Sequence, residues 1–206
     1  MSDALVPQRA RSEGFTTHAT RAVSAFALTV LMLTVMWVLE VIDYLLDGRL
    51  DQYGVRAHDA GELPQIFSAP FLHVGFGHLM ANSIPFLVLG FLAAARGLSK
   101  FVVMNLMVVV VAGMGVWLTG PSDKETLGAS ILVFGYFGYL LGRGVFERHL
   151  ADIAIAAVVL LFYGTMVFGV LPSNPSISWQ GHLFGMLGGV LAAWTLRRRR
   201  PAVAAE

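Results

Sequence analysis

The sequence predicts an all-α membrane protein with six transmembrane helices, and three observations support this fold class. The 206-residue chain is 56% apolar and only 13% charged, whereas soluble globular domains carry about 25% charged residues. Its mean hydropathy is +0.70. The few charges are also segregated, so that they leave six long apolar runs almost uncharged. At this length a single domain is the default expectation.

The six apolar runs define the predicted helices. A helix needs about 20 apolar residues to cross a hydrocarbon core of about 30 Å. The predicted helices lie at about 22–42, 78–95, 101–118, 128–142, 151–171 and 181–196. Glu40 is the only charge in the first of them, and the cores of the other five are uncharged. We therefore expect one six-span domain over residues 22–196.

The two ends of the chain are expected to be polar tails. Residues 1–21 carry scattered charges and no apolar core, so they do not predict a cleavable signal peptide. Residues 197–206 open with four consecutive arginines, Arg197 to Arg200. Such a cluster fixes the orientation of the last helix, and it could also bind anionic lipid headgroups.

The distribution of positive charge predicts the orientation. Eleven of the fourteen Lys and Arg residues fall on the side that the two termini share. The positive-inside rule therefore places both termini in the cytoplasm of a multi-pass protein of the cytoplasmic membrane, in contact with membrane lipids. A net charge of +1 gives no reason to expect a nucleic-acid partner.

The fourth helix is predicted to be short. At about 1.5 Å per residue, the run from Ser130 to Arg143 spans roughly 20 Å of a core of about 30 Å. We expect its start to be partly submerged below the external surface. Non-helical backbone at that depth must be buried in protein or line a water-filled cavity. The preceding loop, residues 119–127, is therefore expected to dip inward and form such a cavity.

Polar residues mark the starts of helices two, four and six, which all begin at the external face. These starts hold His78 and Asn82, Ser130, and His182. Taken singly they are ordinary, because His is common at membrane interfaces, Asn bonds between helices and Ser begins helices. Together they supply a nucleophile, a base and hydrogen-bond donors for an oxyanion at one depth.

These residues resemble the signature motifs of the rhomboid family of intramembrane serine proteases, over about helices two to six. Three motifs carry the resemblance: His78 four residues before Asn82 within residues 71–82, the stretch Gly128-Ala129-Ser130, and His182 followed by Gly185 and Gly189. Each motif is short, but the three occur in order and on the appropriate helices.

The resemblance implies a six-helix rhomboid-like bundle with a Ser-His dyad. Ser130 would be the nucleophile and His182 the general base. The side chains of His78 and Asn82, together with the backbone N–H of Ser130, would form the oxyanion hole. The reaction requires no metal and no organic cofactor.

The resemblance also assigns residues that pack around the site. Gly128, Gly185 and Gly189 would allow close helix packing, which their small size predicts independently. Gly138 and Gly142 have the same four-residue spacing on helix four and could face another helix. Phe134 would either stack on His182 or pack in the core.

The chain departs from the family pattern at two places. Ile131 follows the nucleophile where the family usually has Gly, and its β-branched side chain changes the packing there. Pro64 and Gln65 stand where the family's first loop often has a Trp-Arg pair, which suggests a different anchor for this loop. We expect His73 to have a structural role, capping or tying down the first loop.

The implied function is an endopeptidase that cleaves transmembrane segments of single-pass membrane proteins near the external face. The alternative, motivated by Ile131, is a catalytically inactive rhomboid-like protein that binds membrane-protein clients. A metalloprotease is disfavoured because the chain has no His-Glu-x-x-His motif. A transporter is disfavoured because few polar residues lie near the cytoplasmic ends of the helices. The sequence does not indicate the oligomeric state.

Overall fold

The computed structural model describes residues 6–174 and 177–198, with side chains from residue 19 onward. Over these ranges it is all-helical, which confirms the predicted fold class. The six α-helices are α1 (Val6–Leu45), α2 (Phe76–Ala94), α3 (Leu98–Thr119), α4 (Ser130–Phe146), α5 (Leu150–Tyr163) and α6 (Trp179–Thr195). Short 3-10 helices lie at Asp51–Tyr53, Leu63–Phe67, Ala69–Phe71 and Gly164–Val170, and we call the last of these the α5 extension.

Within the described residues, four stretches are long and apolar enough to cross a membrane by themselves. They are Ala19–Leu45 of α1, the whole of α2 and of α3, and Leu150–Val170, which is α5 with its extension. The helices α4 and α6 have 17 residues each, which corresponds to about 25 Å and is less than a hydrocarbon core of about 30 Å. The chain is therefore a multi-pass membrane protein in which two short helices lie among longer ones.

The first helix is longer than its apolar run. It begins at Val6 rather than near residue 22, so most of the segment expected to be a tail continues the helix. Polar and charged residues propagate a helix nearly as well as apolar ones, and hydropathy marks only the part suited to a membrane. Residues 1–5 and 199–206, which include Arg199 and Arg200, lie outside the described residues.

The helix α4 ends at Phe146, four residues beyond the predicted end at 142. Arg143, the last residue of the run from which the length of this helix is estimated, is buried. Its Nε donates to Asp152 Oδ1 of α5 at 3.1 Å, and its Nη1 lies 3.3 Å from Glu147 Oε1. Because these carboxylates neutralise the guanidinium, Arg143 can be buried, and arginine itself propagates a helix well.

The same ionic cluster joins three helices at the end of the bundle opposite the start of α4. Arg96, which follows α2, lies 2.9 Å from the Oδ1 of Asp152 that Arg143 also contacts. A buried charge is tolerated when it is paired and hydrogen-bonded. The cluster therefore holds the ends of α2, α4 and α5 together.

The helix α4 is the centre of the bundle, since every residue from Ile131 to Leu140 is buried. Its contact with α3 includes a polar pair, in which the hydroxyl of Tyr136 donates to Asn105 Oδ1 at 2.8 Å. This bond satisfies a hydroxyl that is otherwise enclosed by apolar side chains, as buried polar groups require.

The helices α4 and α6 form the most extensive helix pair in the described part of the chain, because glycines let their backbones touch. A Cβ at Gly185 would lie 2.5 Å from the carbonyl oxygen of Ile131. A Cβ at Gly189 would collide with the carbonyl oxygen of Gly135, and one at Gly138 with that of Met186. Gly142 also faces α6, where a Cβ would lie 2.9 Å from that of Ala193. Small residues at both surfaces thus set the distance between the helices.

We expect Gly189→Ala to destabilise the fold by about 1–3 kcal/mol, because the added methyl group must push α6 away from α4. Gly77→Ala is the matched control, since a Cβ there meets nothing within 4 Å and alanine favours a helix. Unfolding of both variants in detergent micelles measures the difference. Equal unfolding free energies for the two variants would show that this contact does not limit the packing.

Candidate active site

A cavity of about 980 Å³ lies where α2, α4 and α6 begin. Its wall includes the four predicted catalytic and oxyanion residues, His78, Asn82, Ser130 and His182. The loop before α4, the α5 extension and the loop before α6 complete the wall, with polar side chains that include Thr126, Ser178 and Gln180. The bundle therefore brings together side chains that are up to 104 positions apart in the sequence.

Ser130 is the first residue of α4 and is partly buried. The first N–H groups of a helix lack intrahelical acceptors, and the helix dipole favours negative charge at this end. The backbone N–H of Ser130 is thus of the kind that can stabilise an oxyanion.

Gly128 shapes the turn into α4. Its φ of +130° is strained for any residue with a side chain. Its N–H donates to the carbonyl of Ala69 at 2.9 Å, which ties the turn to the first loop. A Cβ at Gly128 would lie 2.6 Å from Cε1 of His78. Gly128 therefore has the expected packing role, and the group that it makes room for is the His78 ring of α2.

Asn82 lies one helical turn after His78 on α2 and is buried. Its Nδ2 donates to the carbonyl oxygen of His78 at 3.0 Å. A side-chain amide carries two N–H donors. The bond to the helix backbone therefore fixes the orientation of the side chain while a second N–H remains on the same nitrogen.

His182 lies in the first turn of α6, whose start is capped by Ser178. The Ser178 Oγ accepts a hydrogen bond from the N–H of Gly181 at 3.2 Å. The ring of Phe134 stacks on the His182 ring, with centroids 4.0 Å apart and an interplanar angle of 10°. The Nδ1 of His182 lies 2.9 Å from the carbonyl oxygen of Gly169. The imidazole is thus held by two other elements, α4 and the α5 extension.

His73 has the structural role that the sequence predicts, but its hydrogen-bond partner was not predictable. It is 2% exposed, and its Nε2 accepts a hydrogen bond from the N–H of Ala129 at 3.0 Å. Ala129 directly precedes Ser130, so His73 holds the start of α4 as well as the first loop. Its ring meets that of His78 edge-on, with centroids 5.2 Å apart. A spacing of five residues carries no helical signal, so only the folded loop could show this bond.

Burial, with a smaller contribution from the neighbouring His78, lowers the pKa of His73 to about 4. A neutral ring is required by the hydrogen bond, because Nε2 can accept the Ala129 N–H only when it carries no proton. The environment and the bond therefore favour the same protonation state.

Ile131, the departure from the family pattern, is buried between α4 and α6. Its Cγ1 lies 3.3 Å from the position of a Cβ on Gly181. The larger side chain is thus accommodated by a glycine on the facing helix, and it also forms part of the cavity wall.

The first loop is anchored without the Trp-Arg pair. Val55 and Thr126 form a β-bridge, and Arg56 pairs with Glu125 in the loop before α4. Ile66 lies against Gly113 of α3, where a Cβ would be 2.5 Å from that of Ile66. These contacts fasten the first loop to α3 and to the loop that leads to Ser130.

Comparison with known proteins identifies the family of the fold. A family model for the Rhomboid domain matches residues 60–199. An uncharacterised protein of Mycobacterium tuberculosis (strain ATCC 25618 / H37Rv) is 40% identical over 191 residues, which cover 88% of this chain and 79% of the relative. The candidate rhomboid protease YdcA of Bacillus subtilis (strain 168) is 31% identical over 137 residues, which cover 65% and 67% of the two chains.

We expect His73→Leu to destabilise the protein by about 1–3 kcal/mol, because it leaves the buried N–H of Ala129 without an acceptor. His73→Gln retains an acceptor oxygen and should recover part of this loss. Unfolding free energies in detergent micelles measure both effects. An equal loss of unfolding free energy in the two variants would show that the shape of the ring, and not its acceptor nitrogen, stabilises the fold.

The low pKa of His73 also predicts a pH dependence of stability. Between about pH 6.5, the pKa of an unperturbed histidine, and about pH 4, the unfolded chain binds a proton that the folded chain does not. Stability should therefore fall as the pH falls through this window, and His73 should account for about 3 kcal/mol of the loss. Asp51 acts in the opposite direction, because burial raises its pKa to about 6.

Comparison of wild type with His73→Gln isolates the His73 contribution, since Asp51 is present in both. We expect the stability of the wild type to depend more steeply on pH between 7 and 4. Parallel profiles for the two proteins would contradict the assignment.

Proposed function

The chain belongs to the rhomboid family, and on that basis we propose that it is an intramembrane serine endopeptidase with Ser130 as nucleophile and His182 as general base. The observation that carries this proposal is the single cavity whose wall contains Ser130, His182, His78 and Asn82. Serine is a weak nucleophile until an adjacent base takes its proton, and neutral histidine is the usual base near pH 7.

In the proposed reaction, His182 removes the proton of Ser130 as Oγ attacks the peptide carbonyl. The negative charge that develops on the carbonyl oxygen is stabilised by the side chains of His78 and Asn82 and by the N–H of Ser130. His182 then passes the proton to the leaving amine. Water, activated by the same histidine, hydrolyses the acyl-enzyme and regenerates Ser130.

The proposed substrates are single-pass membrane proteins. A peptide carbonyl inside a helix is hydrogen-bonded to an N–H four residues later and shielded by the turns around it. Cleavage therefore requires a transmembrane segment that unwinds where it reaches the cavity. Its remaining hydrophobic length stays among the lipids that surround the bundle.

We further propose that both termini face the cytoplasm and that the cavity lies near the external face of the cytoplasmic membrane. The charge distribution supports this orientation, because eleven of the fourteen Lys and Arg residues lie on the side of the termini. In this orientation the cavity can receive water from outside the cell, and the ionic cluster of Arg96, Arg143 and Asp152 lies toward the cytoplasm.

The competing function is a client-binding protein without catalysis. Ile131 motivates it, since a bulky residue beside the nucleophile could impair the site. The packing of Ile131 against Gly181 favours the enzyme instead, because the side chain is buried against a facing helix and Ser130 and His182 still line the cavity.

The decisive experiment incubates purified protein with single-pass transmembrane reporters. We expect Ser130→Ala and His182→Ala each to reduce cleavage by at least about a thousandfold. Removal of one oxyanion donor in Asn82→Ala should cost about a hundredfold or more. Ser122→Ala and His149→Ala are matched controls, because both residues are exposed and neither lines the cavity.

Each outcome distinguishes between functions. Cleavage that survives Ser130→Ala would reject the serine mechanism, and loss of cleavage with a metal chelator would favour a metalloprotease. Stable capture of several reporters without cleavage by the wild type would favour the client-binding protein.

A further inference from the structure

We propose that the main-chain carbonyl of Gly169 is the positioning group of the base, filling the place that an acidic side chain has in a catalytic triad. This carbonyl accepts a hydrogen bond from the protonated Nδ1 of His182. The other ring nitrogen, Nε2, is then unprotonated and can take the proton of Ser130. This inference rests on the proposed function, and it names a contribution from the α5 extension, which supplies none of the sequence-predicted catalytic residues.

The first evidence is the hydrogen-bond geometry. The Nδ1 of His182 and the carbonyl oxygen of Gly169 are 2.9 Å apart. A carbonyl oxygen can only accept, so Nδ1 must carry the proton when this bond forms. In a neutral imidazole the other nitrogen, Nε2, is then an acceptor, which is the state that a general base requires. When Nε2 takes the serine proton, the same carbonyl dipole stabilises the resulting imidazolium, as the carboxylate of a triad does.

The second evidence is the origin of the carbonyl. Gly169 is the penultimate residue of the α5 extension, a 3-10 helix over Gly164–Val170. The last carbonyls of a helix have no intrahelical donor and need partners from elsewhere. The end of this helix therefore presents an acceptor of the kind that a neutral imidazole N–H can use.

The third evidence is the space that a glycine leaves at this position. A Cβ on Gly169 would lie 2.8 Å from Cζ of Phe134 and 3.2 Å from Nδ1 of His182. The φ of Gly169 is not positive, so the backbone itself would accept alanine. Glycine is thus needed to let the carbonyl, the Phe134 ring and the imidazole meet, and not to form the turn.

Together these contacts constrain the imidazole in two ways. Phe134 covers one face of the His182 ring and limits its tilt. The Gly169 carbonyl holds the Nδ1 edge of the ring toward the α5 extension. Within α5 only Asp152 and Val159 are buried, so most of this helix lies on the outside of the bundle. The orientation of the base consequently depends on where the end of that helix lies.

The test compares Gly169→Ala with Gly164→Ala. Both substitutions lie on the α5 extension, but a Cβ on Gly164 would make only an ordinary contact, 3.4 Å from Leu160 Cδ1. We expect Gly169→Ala to lower kcat for a transmembrane reporter about 10- to 100-fold with little change in KM, because the general base is misoriented while the cavity persists. Gly164→Ala should retain wild-type kcat.

A spectroscopic measurement tests the same point without requiring activity. In protein labelled with ¹⁵N-histidine, at a pH where the ring is neutral, the His182 signals should show a protonated Nδ1 and an unprotonated Nε2. His182→Asn assigns these signals by their disappearance. Gly169→Ala should shift both nitrogens toward an average of the two tautomers, whereas Gly164→Ala should not.

The outcomes separate this inference from the proposed function. A wild type that fails to cleave but shows the Nδ1 proton would contradict the protease and support the positioning contact. A wild type with its proton on Nε2, or identical kcat values and spectra for the two alanine variants, would overturn the role of Gly169 whether or not the protein is a protease.

Discussion

The close backbone contact between α4 and α6 is the main constraint on the packing of the bundle. Both helices have 17 residues and are shorter than a hydrocarbon core, so the non-helical backbone that precedes them must be buried in protein or line a cavity. Gly135 faces Gly189, and the carbonyl of Ile131 faces Gly185, at distances that leave no room for a Cβ. This contact brings the first turns of the two helices, with Ser130 and His182, to the same cavity.

Two sets of polar side chains have different places in the bundle: one set holds the helices together and the other faces the cavity. The buried cluster around Arg143 and Asp152 pairs charges within the structure, and Tyr136 bonds to Asn105. Such pairing is what a low-dielectric environment requires. At the cavity, by contrast, His78 and Ser130 lie where a reacting group could bind. The buried charges are thus paired at one end of the bundle, and polar side chains line a cavity at the other.

Much of the fold and part of the candidate site could be predicted from the chain alone. The apolar runs indicated the helices, and the spacing of His78 and Asn82 placed both on one face of α2. The ends of helices were less predictable. Arg143 looked like the end of α4, but the carboxylates that neutralise it lie one turn later and on another helix. Hydropathy reports the preference of each residue and not its tertiary partner.

The class of molecule, an all-helical membrane protein, and the residue types at three helix starts follow from the chain alone, because composition and periodicity are local properties. How those residues are held depends on contacts between distant parts of the chain. The bond from Ala129 to His73 and the approach of the Gly169 carbonyl to His182 join positions 56 and 13 residues apart. Neither has a periodic signal, because each is made where a loop or a helix end meets another element, and that geometry exists only once the helices have packed.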